Sequence, residues 1–162
     1  DLIDGLVKVI EDTTPTAYEY AAGATISSIV AGVYALIPED AFSMGDVVLY
    51  MGKDMYRKYI QELIANGNLV ITNTLNDVSM PESILIPGTN VRVIGVAGLN
   101  GSGKCFASFA KNFIYGTDMV EGPETVSFKY DAHDENYHLT IKFVAGVQVA
   151  FPTLIIEGKQ QA

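Results

Sequence analysis

The residues of this chain that come closest to chemistry by type and spacing are Gly98 to Cys105, GLNGSGKC. They fall one residue short of the phosphate-loop pattern G-x-x-x-x-G-K-[ST], with Cys105 where the pattern has a hydroxyl residue. An apolar run precedes them, as the pattern requires. In a nucleotide hydrolase the loop amides would cradle phosphates and Lys104 would reach the terminal ones. Three features count against this. A thiol is a poor ligand for hard magnesium. The motif must open a helix, whereas CFASFAKNF alternates like a strand. The residues after Cys105 read as further strands and offer no β-α-β series with a metal-binding Asp. The expected structure is a β-hairpin, VRVIGVAG against KCFASFAKN, its glycines supplying the turn.

A second constellation is Asp131, His133, Asp134, Glu135 and His138, whose types suit a metal. They sit between two alternating segments, where a polar hairpin turn is expected, and their side chains would splay to both sides of the ribbon. The chain has two histidines, and neither lies near an obvious serine nucleophile or oxyanion loop. No carboxylate dyad of the glycosidase kind stands out. Asn100-Gly101-Ser102 has the form of a glycosylation sequon, but with no secretory signal in view it reads as turn chemistry. The expectation is a protein with no catalytic residues, no metal and no cofactor.

The elements that would carry these residues follow from periodicity. Asp1 to Asp12 suits a short helix weakened by Gly5. Thr13 to Gly23, broken by Pro15, reads as an extended connector. Ile26, Ile29, Val30, Val33 and Ile37 form a helical stripe with Thr25 as N-cap, closed by Pro38. Val47 to Met51 is a continuous apolar run, expected as a buried strand. Lys53 to Ala65 is the strongest helix, burying Met55, Tyr56, Tyr59, Ile60, Leu63 and Ile64, with Asn66-Gly67 as its left-handed cap. Leu69 to Thr72 is expected as a short strand. Beyond Ile84 the period changes to two. Strands are expected at Ile84 to Ile86, Val91 to Ala97, Cys105 to Lys111, Thr125 to Tyr130, Tyr137 to Val144 and Val147 to Ile156, with a turn over Gly116 to Pro123. Helices first and strands later define an α+β fold.

The bulk numbers narrow the classes. The 162 residues suffice for one domain, or one domain and part of a second. At 49% hydrophobic and 18% charged the chain suits a buried globular core. A net charge of −9, from 19 acidic and 10 basic residues, argues against gripping phosphates, and the basic residues do not cluster. The single cysteine, Cys105, excludes an internal disulfide. No apolar run reaches the roughly 20 residues of a membrane helix. A chain opening at Asp1 on an amphipathic stretch reads as truncated or processed, with an N-terminal portion expected before it.

Element order and several phrases resemble the major capsid proteins of tailed double-stranded DNA bacteriophages, the Hong Kong phage-type capsid fold. Asp4-Gly5-Leu6 within LIDGLVKVI is similar to the segment where that family's chain leaves its long spine helix. DVVLYMGKDMYRKYIQEL (Asp46 to Leu63) resembles its central strand and following helix. Ile86 to Asp118 resembles its hairpin and an N-x-x-x-G-x-D phrase at Asn112, Gly116 and Asp118, and Gly146 to Ile156 its closing strand. The resemblance implies an α+β axial domain with helices packed on a central sheet, mainly over residues 1–115. Residues 116–162 would be strands returning to the peripheral-domain sheet, and the N-terminal arm, extended loop and spine helix would be absent. It implies a structural subunit of an icosahedral head, made in the host bacterial cytoplasm and located in the virion capsid. Its partners would be copies of itself in hexamers and pentamers, scaffolding and portal proteins, and packaged double-stranded DNA without sequence specificity, with no membrane. Inter-subunit contacts are expected at the polar tips Leu99, Asn100, Gly101 and Ser102, and Asp118, Met119, Val120 and Glu121. Two alternatives stay open: a nucleotide hydrolase using Gly98 to Cys105, and an encapsulin-type compartment shell enclosing cargo proteins.

Overall fold

The computed structural model describes residues 2–13, 15–67, 81–118, 126–131, 133, 136–141 and 144–161. Helix α1 (Leu2–Asp12) forms despite Gly5 and leads to strand β1 (Thr16–Tyr20). Helices α2 (Ile26–Ala35) and α3 (Glu39–Met44) follow, then strand β2 (Val47–Gly52) and helix α4 (Lys53–Ala65). The rest is β: β3 (Ser83–Leu85), β4 (Arg92–Val96), β5 (Cys105–Phe109), β6 (Phe113–Asp118), β7 (Val126–Asp131), β8 (Asn136–Ile141), β9 (Val144–Val149) and β10 (Ile156–Gln160). Among the described residues the class is mixed α+β, with a central mixed sheet and four helices. The expected strand at Leu69 to Thr72 lies outside the described residues.

Six strands form the central sheet in the order β1-β10-β5-β2-β4-β3. β1 runs parallel to β10, and β2 parallel to β4; the remaining pairs are antiparallel. Successive residues of a strand face opposite sides, so the sheet has two cores. On one side Val47, Leu49, Met51, Cys105 and Ala107 meet α2 and α4. On the other, Phe106 packs with Ile10 of α1, Leu99, Val149 and Ile155. Cover on both faces is why all five residues of β5 are buried and why the apolar run of β2 carries no polar alternation.

The expected hairpin of β4 against β5 is not formed. The two strands run antiparallel, but β2 lies between them, with Leu49 opposite Val93 on one side and Ala107 on the other. A strand as uniformly apolar as β2 gains most from an interior position. The segment joining β4 to β5 therefore crosses two strand spacings, about 10 Å, which a tight turn cannot span.

Other boundaries moved for local reasons. Cys105 to Lys111 is not one strand: a 3₁₀ turn at Ala110–Asn112 splits it from β6, and β6 occupies the start of the expected turn at Gly116. Pro152, which lacks an amide hydrogen, opens a 3₁₀ turn that separates β9 from β10. The connector after Pro15 is strand β1, because β10 pairs with it from the far end of the chain. Helix α3 sits between Pro38 as N-cap and Gly45, with Glu39 and Asp40 in its first turn. Ile64 of α4, expected in the core, is exposed. Strand β6 runs through Tyr115 and Gly116, and β10 lies in the central sheet.

Thr25 stands at the N-cap of α2, yet its hydroxyl makes no cap. Glu62 of α4 does this instead. Its Oε1 accepts the Ile26 amide at 2.9 Å, and its Oε2 accepts the Ser27 amide and hydroxyl, each at 2.7 Å. Burial alone would raise the Glu62 carboxyl, but these hydrogen bonds outweigh it and hold it below the usual range.

Candidate functional site

The glycine loop is closed on itself by its own amides. The amide of Asn100 donates to the Ala97 carbonyl, that of Ser102 to the Leu99 carbonyl, and that of Lys104 to the Ser102 hydroxyl. The Gly101 amide donates to Asp54 Oδ2 at 3.2 Å. A phosphate loop needs these donors for its ligand, and here a carboxylate already occupies one. Left-handed backbone at Gly101 (φ 72°) and Gly103 (φ 65°) accounts for two of the glycines.

Lys104 is equally committed. Its Nζ pairs with Glu11 of α1 and lies 3.6 Å from Glu157 Oε1 of β10, a residue almost fully buried. The hydrogen bond to Glu11 is the main reason its pKa lies above the ordinary lysine value. Cys105 is buried, and burial pushes its thiol up to about 12, so it offers no ligand or nucleophile near neutral pH. The chain after Lys104 continues as strand β5, not a helix. The nucleotide-loop alternative thus meets a strand where it needs a helix, and its lysine and four of its amides are engaged within the molecule.

Of the expected contact positions, Asn100, Gly101 and Ser102 are exposed, whereas Leu99 is buried in the second core. Asp118 ends β6, opposite Val144 of β9. Met119, Val120 and Glu121 lie outside the described residues, as do Asp134 and Glu135 of the histidine-rich cluster. That cluster spans a β-ribbon turn: β7 pairs with β8 from Val126 opposite Ile141 to Asp131 opposite Asn136, with His133 in the turn between them. Among the described residues no three His, Cys, Asp or Glu side chains come together as a metal group, and no helix is long and apolar enough to cross a membrane.

Two features escaped the sequence reading. The first is a buried polar clamp. Asn112 donates through Nδ2 to Ser108 Oγ at 2.8 Å and to the Phe151 carbonyl at 2.9 Å, and accepts the Phe151 amide at 2.7 Å. Ser108 in turn donates to the Leu154 carbonyl at 3.0 Å. This joins the turn after β5 to the one before β10. No pattern could have announced it, because its partners lie about 40 positions apart.

The second feature is surface. Phe128, Tyr130, Tyr137 and Leu139 are 66, 51, 67 and 60% exposed on the β7-β8 ribbon. Their alternation with Lys129 and His138 was the available signal. A further apolar surface is a groove of about 210 Å³ between α1 and the sheet, lined by Leu6, Val7, Tyr50, Val96, Phe106 and Phe113 among others.

The fold is similar to that of a chain in the crystal structure of a virus-like particle from Pyrococcus furiosus, with a TM-score of 0.54 and 10% sequence identity. The likeness covers 96% of this chain and 61% of that one, so the present chain spans about three fifths of the protein it matches. No protein-family model and no curated protein matches the sequence. At this identity the likeness is one of architecture: the chain shares the fold of that particle's chain over nearly all of its own length.

Proposed function

We propose that this chain is a structural subunit that assembles with copies of itself into a closed shell. The observation that carries the reading is the match of nearly its whole length to a chain of a virus-like particle. The chemistry of the loop agrees, since Lys104 and several loop amides are engaged in contacts within the molecule. Shells need broad, repeated contacts between identical copies in closed symmetry. In this reading the central sheet and its helices form the axial domain, and the β6-β9 and β7-β8 ribbons lead toward the periphery. The exposed tip Asn100 to Ser102 and the segment from Asp118 to Glu121 face neighbouring copies.

The finer reading is the head of a tailed phage, built of hexamers and pentamers with scaffolding and portal proteins and enclosing double-stranded DNA. An acidic subunit is compatible with that, because such a genome is confined and not gripped. An encapsulin-type compartment is the second reading, and the virus-like particle supports both equally. Particles purified from the native source separate them: nuclease-protected DNA inside means a phage head, and a single enclosed enzyme means a compartment. Recovery of the protein only as a monomer would sink both.

A further inference from the structure

We propose that the aromatic face of the β7-β8 ribbon packs into the apolar groove between α1 and the central sheet of a second copy of this chain. The inference rests on the shell reading and names one of its contacts.

The ribbon has two unlike faces. Phe128 lies opposite Leu139 and Tyr130 opposite Tyr137, so strand geometry puts all four on one side. Lys129 lies opposite His138 on the other. None of the four contributes to either core. An isolated two-stranded ribbon is marginal in water, and four large apolar side chains together on one are the mark of an interaction surface.

The rings themselves limit the occupant. Tyr137 stacks on Phe128 at 5.2 Å and lies tilted against Tyr130 at 4.9 Å, so these rings pack on one another and are not spread to receive bases. The chain carries a net charge of −9, which opposes nucleic acid. An uncharged apolar partner fits, and the chain has one. The groove is lined by Leu6, Val7, Tyr50, Val96, Phe106 and Phe113, with no ionisable acid or base among its lining residues other than the Tyr50 phenol, whose pKa burial raises. Ribbon and groove are different surfaces, so their contact between copies is head-to-tail. Such a contact builds rings when its rotation closes, and rings are what a shell of identical subunits requires.

Cysteine pairing tests this in the full-length protein. Cys105 is fully buried and will stay silent. Tyr137→Cys and Val7→Cys proteins are mixed, assembled and mildly oxidised. The expected result is a disulfide-linked dimer from the mixture, and at least about a tenfold smaller yield from either variant alone. A variant carrying both substitutions that instead closes a loop within one chain shows that the ribbon covers its own groove, which overturns the proposal. Particles by electron microscopy without the dimer leave the shell reading standing and overturn this contact. The dimer without particles supports the contact and overturns the shell. As a second readout, Phe128→Ser/Tyr137→Ser should lower the assembled fraction about tenfold while the isolated subunit melts unchanged. Full assembly of that variant also overturns the proposal, as does strand-independent binding of single-stranded DNA through these rings in place of assembly.

Discussion

Lys104 Nζ lies 3.6 Å from Glu157 Oε1, and the same ammonium pairs with Glu11 on α1. A lysine at the end of a glycine loop thus ties α1 to β10. Glu157 is the buried member, and removal of its cation leaves a carboxylate without compensation.

Lys104→Met should therefore lower stability, and in the shell reading it should leave nucleotide binding unchanged. Calorimetric titration with ATP should give no heat for either protein. The pairing raises the folded-state pKa of Lys104 above the ordinary lysine value. The sign follows: its stabilisation is complete below the unfolded pKa and fades as pH rises through the folded value. The melting difference between wild type and Lys104→Met should be constant near neutral pH and shrink above the ordinary lysine range. Adding Glu157→Gln should recover part of the loss.

Glu62 caps α2 from α4 in place of Thr25. Its folded pKa is depressed, so its contribution is present above the unfolded carboxylate value and lost as pH falls through the folded one. Glu62→Gln should cost about 1 kcal/mol at neutral pH. Acid titration of thermal stability should show the two proteins converging at low pH. Thr25→Val, by contrast, should be nearly neutral.

Asn112→Ala removes three hydrogen bonds, one buried and two part-buried, and leaves the Phe151 amide and carbonyl without this partner. A loss of about 3 kcal/mol is expected, measured by urea unfolding. Hydrogen exchange should rise first at residues 150–155.

Gly158→Ala would bring a methyl group against Cys105 Sγ and to 2.9 Å from Val33 Cγ2. Overpacking of this kind costs about 2 kcal/mol. Cys105→Ala in the same chain should restore part of it, because the sulfur is the nearer obstacle. An additive pair of effects would contradict the packing described.

What the sequence disclosed and what it withheld divide by range. Helices α2 and α4 were legible because each carries a complete apolar stripe, and the β7-β8 ribbon because period-two segments flank a polar turn. Strand β1 was not, since Thr16 to Tyr20 becomes a strand through β10, some 140 positions away. The pairing of β4 and β5 was misread because adjacency in sequence suggests a hairpin, while the burial demand of Val47 to Met51 decides the sheet order. The glycine loop was expected as a turn, with a nucleotide site left as an alternative, and the pairing of Lys104 with Glu11 and Glu157 is one that no local pattern names. Leu99 was expected at a surface tip and lies in the core, because the 3₁₀ turn Ala97–Leu99 folds it inward.

The measurement that bears most directly on the shell reading is electron microscopy of the full-length protein expressed alone, with sedimentation on the same sample. The reading predicts closed particles of uniform diameter, or at least rings of five or six subunits. A monodisperse monomer across all concentrations and salts would contradict it.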